Sequence, residues 1–223
     1  MLLTLGLPAG FSALASPPAE FWNSKMPSDW TDDERQELLT KSPWAKDAEV
    51  KNNSAVGGLG VPRTSSSRRT GTTNRPGTIG EPSNVPQGHY RAIVRWDSAL
   101  PVREARRNQS KDDPAANYIL SVTGDLPMLG RRSNDESDSE FQQRLDMFKQ
   151  YTKLEKKGDP IYLVKIGYLN GPAATSGTLF YFERNDLITL GDRQVTFVTK
   201  LGPNDVKAKF TLRDMTYLGK LEL

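Results

Sequence analysis

The sequence predicts an α+β fold in which an antiparallel meander sheet of roughly five to seven strands is packed by one long helix. Short apolar runs, several of them alternating with polar residues, fill the last third of the chain and are separated by turns containing Gly, Asn and Asp. This pattern is typical of consecutive antiparallel strands. A single longer stretch, residues 137–158, repeats its apolar residues at helical spacing instead.

The composition limits the size of the folded core. The chain has 223 residues, of which 36% are hydrophobic and 26% are charged. This length suits one domain with an additional segment better than two full domains. Lys and Arg number 30 against 27 Asp and Glu, which gives a formal net charge of +3. Because this excess is small, we do not expect nucleic acid as a partner.

Two residue counts exclude whole classes of chemistry. The chain has no cysteine and one histidine, His89. Disulfides, thiolate zinc sites, iron–sulfur clusters and cysteine nucleophiles are therefore excluded, and so is any metal site that needs two histidines from one chain. No phosphate-binding glycine loop and no nucleophile elbow is present. We assign no catalytic residue, no metal ligand and no cofactor.

The N-terminal region indicates export. Residues 2–14 are uncharged and mostly apolar, with the sequence LLTLGLPAGFSAL. This run is too short to span a membrane, and no other apolar run is long enough. Ala13, Leu14 and Ala15 form a small-x-small pattern typical of signal-peptide cleavage. We interpret residues 1–15 as a signal peptide and expect an exported protein, periplasmic or extracellular.

Residues 16–50 are predicted to form a Trp-rich helical segment. Thr31 and Glu34 form a capping box, which predicts a helix that ends at about residue 41. Two interpretations of the tryptophans around this helix remain open. Their indoles either dock the helix on the main domain, which we favour, or form an aromatic platform for a ligand. These candidate ligand-binding residues are Trp22, Trp30 and Trp44.

Residues 51–88 are predicted to be a disordered linker. The segment is rich in Ser, Thr, Gly and Pro, so it cannot bury enough apolar surface to offset the entropy lost on ordering. Every charge between Lys51 and Gly80 is positive. We interpret this run as a solvated tether, with polyanion binding as the alternative. The candidate polyanion-binding residues are Arg63, Arg68, Arg69 and Arg75.

Residues 89–223 are predicted to form the α+β domain. Its helix begins at a second capping box, Ser137 with Glu140, and ends before Gly158. Acidic residues cluster at this helix start, but their spacing lacks the Gly and the distal Glu of a calcium loop. Two of these acids lie where a helix start favours negative charge, and we prefer this interpretation to the alternative that Asp135, Glu136, Asp138 and Glu140 bind a hard cation. Strands are predicted over residues 90–96, 117–123, 161–168, 178–183, 188–190, 194–201, 206–212 and 216–223.

Two motifs carry a resemblance to a known family. They are W-T-x-D-E-x-x-x-L-L-x-x-S-P-W-A over residues 30–45 and F-x-L-x-D-M-x-Y-x-G-K-L-E-L over residues 210–223. Both resemble segments of a family of uncharacterised exported proteins known from acidobacterial genomes. The resemblance covers most of the chain outside the linker. It implies export, and no catalytic residue is carried over from it.

The absence of a catalytic constellation leads to a functional hypothesis. We expect a non-enzymatic interaction or structural module of the periplasm or cell surface, whose partner is another envelope protein or a cell-surface polymer. One alternative is a carboxylate-dependent hydrolase of envelope glycans, which would need two acids converging in a cleft. The other is a polyanion binder that works through the basic linker.

Overall fold

The computed structural model describes residues 20–52, 90–107, 114–126, 129, 132, 134–169 and 177–223. The predicted signal peptide lies outside the described residues. So does the predicted linker beyond Asn52, together with His89.

The helices and strands of the described chain are short, and none of these helices has the length and apolar character needed to cross a membrane. The α-helices are α1 (Phe21–Ser24), α2 (Asp32–Thr40), α3 (Leu100–Arg106) and α4 (Asp138–Tyr151). The strands are β1 (Ala45–Asp47), β2 (Glu49–Asn52), β3 (Ala92–Trp96), β4 (Asn117–Gly124), β5 (Lys153–Glu155), β6 (Ile161–Leu169), β7 (Gly177–Glu183), β8 (Gln194–Leu201), β9 (Asn204–Thr211), β10 (Thr216–Tyr217) and β11 (Lys220–Leu221).

One antiparallel sheet of nine strands dominates the structure, in the order β1-β3-β4-β7-β6-β5-β8-β9-β2. β1 and β2 stand at opposite ends of this order, although only Ala48 separates them in the chain. Residues 45–52 therefore pair with β3 on one side and with β9 on the other. The backbone N–H of Ala48 donates to the carbonyl of Ala92 at 2.8 Å. This closing segment brings the two edges of the sheet together, and the sheet is nearly barrel-shaped.

The strand order differs from the predicted meander. β4 pairs with β7, and β5 pairs with β8. Across the sheet, β7, β6 and β5 therefore follow β4 in the reverse of their order in the chain. Short turns between apolar runs identify strands that pair within a hairpin, but they do not determine which hairpins adjoin. Nine strands also exceed the predicted five to seven. The additional strands β1, β2 and β5 are short and carry little apolar periodicity.

One predicted strand, over residues 188–190, is absent from the structure. A 3-10 turn at Leu190–Asp192 takes its place. The backbone N–H of Thr189 donates to Oδ2 of Asp192 at 2.8 Å, so a side chain rather than a neighbouring strand satisfies this donor.

Helix α4 packs against the sheet next to the short strand β5. It contacts both β6 and β8. Its buried Phe148 packs edge-on against Phe180 of β7, with ring centroids 5.7 Å apart. The hydroxyl groups of Thr152 and Thr199 are 2.6 Å apart and buried, which ties the end of α4 to β8.

Aromatic side chains fill the interior of the barrel. Trp96 lies at its centre, with ring centroids 5.4 Å from Phe210 and 5.8 Å from Tyr118. Strand β9 shows how the sequence produces this core: Val206, Ala208 and Phe210 are buried, whereas the alternating Lys207 and Lys209 are exposed.

The N-terminal tryptophans pack into the same core. Trp22, Trp30 and Trp44 are 7%, 2% and 0% exposed. Trp22 meets Trp44 edge-to-face with ring centroids 5.8 Å apart, and Nε1 of Trp44 donates to the carbonyl of Glu222 at 2.8 Å. Because β1 follows Trp44 directly, these tryptophans are joined to the sheet through residues 45–52. The predicted segment boundary at residue 50 falls inside β2.

The buried hydroxyl pair allows a test of how α4 is attached to the sheet. Replacing Thr152 by Val leaves the hydroxyl of Thr199 buried without its partner, so we expect a loss of about 1–3 kcal/mol in the free energy of unfolding. The double variant with Thr199→Val removes both polar groups and should be less destabilised than the sum of the single variants. Urea unfolding followed by tryptophan fluorescence measures this, and strictly additive effects would contradict the pairing.

Candidate binding groove along helix α4

A groove of about 870 Å³ runs along the solvent-facing side of α4 and of the residues before it. This volume falls in the range of ligand-binding clefts. Acidic, apolar and aromatic side chains line it, together with Arg144 and two glutamines, Gln143 and Gln150. The acidic residues are Asp135, Glu136, Glu140 and Asp146. The apolar and aromatic residues are Leu129, Met147 and Tyr151.

The capping box at the start of α4 positions Glu140, one of the acids of the groove. Oγ of Ser137 accepts the backbone N–H of Glu140 at 3.3 Å, and the carboxylate of Glu140 accepts the backbone N–H of Ser137 at 2.8 Å. The side-chain hydrogen bond from Ser137, followed by its backbone hydrogen bond, lowers the pKa of Glu140 below its ordinary value of 4.5. Glu140 is therefore a stable anion at neutral pH.

Arg144 fastens the segment before α4 to the helix. Its side chain is 6% exposed, and it donates from Nε and Nη2 to the two carboxylate oxygens of Glu136 at 2.9 and 2.7 Å. This is the bidentate geometry in which guanidinium and carboxylate pair most strongly. The pair holds this wall of the groove in place and neutralises Glu136. The negative charge of the groove then comes from Asp135, Glu140 and Asp146.

Cationic groups already stack on the aromatic rings of α4. The guanidinium carbons of Arg132 and Arg144 lie 5.6 and 5.3 Å from the ring centroid of Phe141. Nζ of Lys200 lies 5.2 Å from the ring centroid of Tyr151, at the end of the groove. These distances are typical of cation–π interactions. The aromatic side chains of this helix therefore accept both lysine and arginine head groups.

Tyr168 places a polar group close to the Arg144–Glu136 pair. Its hydroxyl is buried and has no hydrogen-bond partner among the residues that the structure describes. Burial raises the pKa of Tyr168, while the positive charge of Arg144 lowers it and the negative charge of Glu136 raises it. The phenol is thus neutral at physiological pH and retains its capacity to donate and accept hydrogen bonds.

The residues singled out from the sequence lie elsewhere. Trp22, Trp30 and Trp44 do not line the groove, and their rings pack within the core. The candidate polyanion-binding residues, Arg63, Arg68, Arg69 and Arg75, lie outside the described residues. Of the groove residues, sequence reasoning identified the acids at the helix start but assigned them mainly to the helix terminus. Gln143, Met147 and Gln150 are spaced three or four residues apart, so they share one side of α4. This spacing is the sequence signal that could have identified them as further groove residues.

A second acidic centre serves the packing of helices. Asp97 is buried and accepts from Nε of Arg95 at 2.7 Å and from Nη1 of Arg106 at 2.9 Å. Arg95 also donates to the carbonyl of Leu39 at 3.2 Å, so the network joins α2, α3 and the end of β3. Within the described ranges, no group of three or more His, Cys, Asp or Glu side chains is arranged to hold a metal ion.

Similarity to known proteins assigns no role to the groove. Comparisons of the chain with known protein families, with curated proteins and with solved structures found no match. Its function is therefore inferred from its own geometry and charge.

The lowered pKa of Glu140 leads to a prediction about pH. A carboxylate whose folded-state pKa is below its unfolded value stabilises the fold above the unfolded pKa, and this stabilisation is lost as the pH falls through the folded pKa. Glu140→Gln retains a capping oxygen but lacks the charge. We expect the thermal midpoint of the parent to exceed that of Glu140→Gln at neutral pH and to converge with it well below pH 4.5. A difference that does not change with pH would contradict the assignment.

Proposed function

We propose that this protein is an exported, non-enzymatic interaction module that binds a cationic polypeptide segment through the groove along α4. The observation that carries the proposal is the charge of the groove. Within the part of the chain that the structure describes, Asp135, Glu140 and Asp146 line it without a lysine or arginine partner. Lysine or arginine side chains of a ligand supply the missing countercharges.

The electrostatic field of the groove favours such a ligand over a neutral one. Carboxylates that line one concave surface add their fields, which raises the local concentration of cations and speeds their association. The Arg144–Glu136 pair limits rearrangement of the wall on binding, so little conformational entropy is lost there.

The apolar part of the groove fits the stems of lysine and arginine. Met147 and Leu129 are half-buried, and Tyr151 is 43% exposed. Long cationic side chains cover apolar surface with their methylene groups while their charged ends remain near carboxylates and water. Methionine adapts to different stems because its side chain is flexible. These contacts favour a polypeptide over a simple inorganic cation.

Export is the second part of the proposal. It is supported by the uncharged run of residues 2–14, by the cleavage pattern that ends at Ala15, and by the resemblance of residues 30–45 and 210–223 to exported proteins. The partner we propose in that compartment is an envelope protein with a segment rich in lysine or arginine.

The acids of the groove do not favour the alternative of a glycan hydrolase. Hydrolysis by two carboxyl groups requires one of them to be protonated near neutral pH. The carboxylate of Glu136 is held by Arg144, and the hydrogen bonds from Ser137 lower the pKa of Glu140. The lowered pKa favours the ionised form of Glu140, which does not act as a general acid, and both carboxylate oxygens of Glu136 already accept from Arg144.

Binding of a labelled hexalysine peptide, measured by fluorescence anisotropy with the full chain, tests the groove. The double variant Asp135→Asn with Asp146→Asn removes two negative charges without breaking a described contact. We expect it to weaken binding by about three- to tenfold, because each exposed charge contact contributes about 0.5 kcal/mol. Added salt should weaken binding by the parent protein.

The matched control removes two negative charges elsewhere. Glu37 and Asp214 are exposed and do not line the groove. Glu37→Gln with Asp214→Asn should leave the affinity for hexalysine close to that of the parent. Equal losses in both double variants would indicate an effect of net charge alone and would refute binding in the groove, as would absence of binding by the parent.

Export has an independent test. N-terminal sequencing of the protein recovered from an expressing cell envelope or medium should find Ser16 as the first residue. Ala15→Arg places a bulky cation at the position that requires a small residue and should block cleavage. Recovery of an uncleaved parent chain from the cytosol would refute export.

A further inference from the structure

A second cavity, with a volume of about 400 Å³, lies between α3, the start of β4, the β7–β8 connection and residues 221–223. We call it the α3 cavity. It shares no lining residue with the groove along α4. Its volume is sufficient for a small organic molecule.

The floor of the α3 cavity is rigid. Tyr118 is 1% exposed, and its hydroxyl accepts the backbone N–H of Ile188 at 2.9 Å. Ser98 is also buried, and its Oγ accepts the backbone N–H of Ile119 at 3.0 Å. These hydrogen bonds connect three chain segments beneath the cavity, so its shape is formed before any ligand enters.

Two arginines line the α3 cavity. The guanidinium of Arg184 lies 4.4 Å from the ring centroid of Tyr118 and donates to the carbonyl of Leu223. Arg103, on α3, is half-buried, and its side chain makes no ion pair or hydrogen bond with the residues that the structure describes. One acid, Glu222, is present among the lining residues.

A carboxylate supplies the hydrogen-bond acceptors that the guanidinium group of Arg103 lacks. A half-buried guanidinium has lost part of its hydration, and the missing hydrogen bonds are unfavourable until an acceptor replaces the water. The planar guanidinium fork matches the two oxygens of a carboxylate.

The remaining walls of the α3 cavity are apolar. Leu187, which is 64% exposed, lines the cavity together with Leu100, Ile188 and Leu221. Covering a large exposed leucine with an apolar group removes its surface from water and so favours binding. A ligand with only polar atoms would leave this surface in water.

From these observations we propose that the α3 cavity binds a small monocarboxylate with an apolar tail. The carboxylate pairs with Arg103, and the tail covers Leu187. The α3 cavity and the groove along α4 share no lining residue. The proposal for the α3 cavity therefore does not depend on ligand binding in the groove.

Titration of the full chain with hexanoate, followed by backbone amide shifts in NMR spectra, tests the proposal. We expect saturable shifts at residues 184–189 and 221–223. Hexanamide has the same size but no charge, and it should bind about tenfold more weakly, because a hydrogen bond between ions is stronger than one to a neutral group. Equal binding of the two probes, or no saturable shift with hexanoate, would overturn the proposal.

Two variants and one control locate the ligand. Arg103→Gln should weaken hexanoate binding about tenfold and leave hexanamide binding almost unchanged. Leu187→Glu should weaken hexanoate binding through charge repulsion at an exposed position that tolerates substitution. Arg213→Gln, an exposed arginine outside the cavity, should leave binding unchanged. Thermal unfolding confirms that each variant is folded, and unaltered binding by both folded variants would refute the site.

Discussion

The pairing of one short segment with both edges of the sheet is the constraint on which the rest of the structure depends. Residues 45–47 pair with β3, residues 49–52 pair with β9, and Ala48 between them is hydrogen-bonded to Ala92. Without this segment the sheet would have two unpaired edges and an open aromatic interior. Trp44 precedes the segment directly and is fully buried, so closure also brings the N-terminal tryptophans into the core.

Closure of the sheet determines where α4 can lie and what its outer side presents. The helix contacts β6 and β8 beside the short strand β5, and Phe148 faces the interior. Arg144 lies one turn before Phe148 and is buried with it, and its pair with Glu136 holds the preceding segment against the helix. The groove thus lies along a helix that packs on the sheet with its buried residues and carries exposed acids beside them.

The two cavities differ in charge, although the chain as a whole is nearly balanced at a formal +3. Acids line the groove along α4, and arginines line the α3 cavity. Local fields rather than the net charge decide which ligand a concave surface attracts. The small net charge of the chain therefore does not conflict with our two proposals, which assign ligands of opposite charge to the two cavities.

The sequence alone determined the features that depend on neighbouring residues. Both capping boxes, at Thr31 and Ser137, and the alternation of β9 depend on contacts within a few positions, and the structure contains all three. The strand order, the burial of the tryptophans and both cavities were decided only by the tertiary structure. Their contacts join residues far apart in the chain, such as Ala45 with Arg95 and Glu49 with Lys207. Periodicity and spacing describe one segment at a time, whereas the choice between distant partners depends on the packing of the whole core.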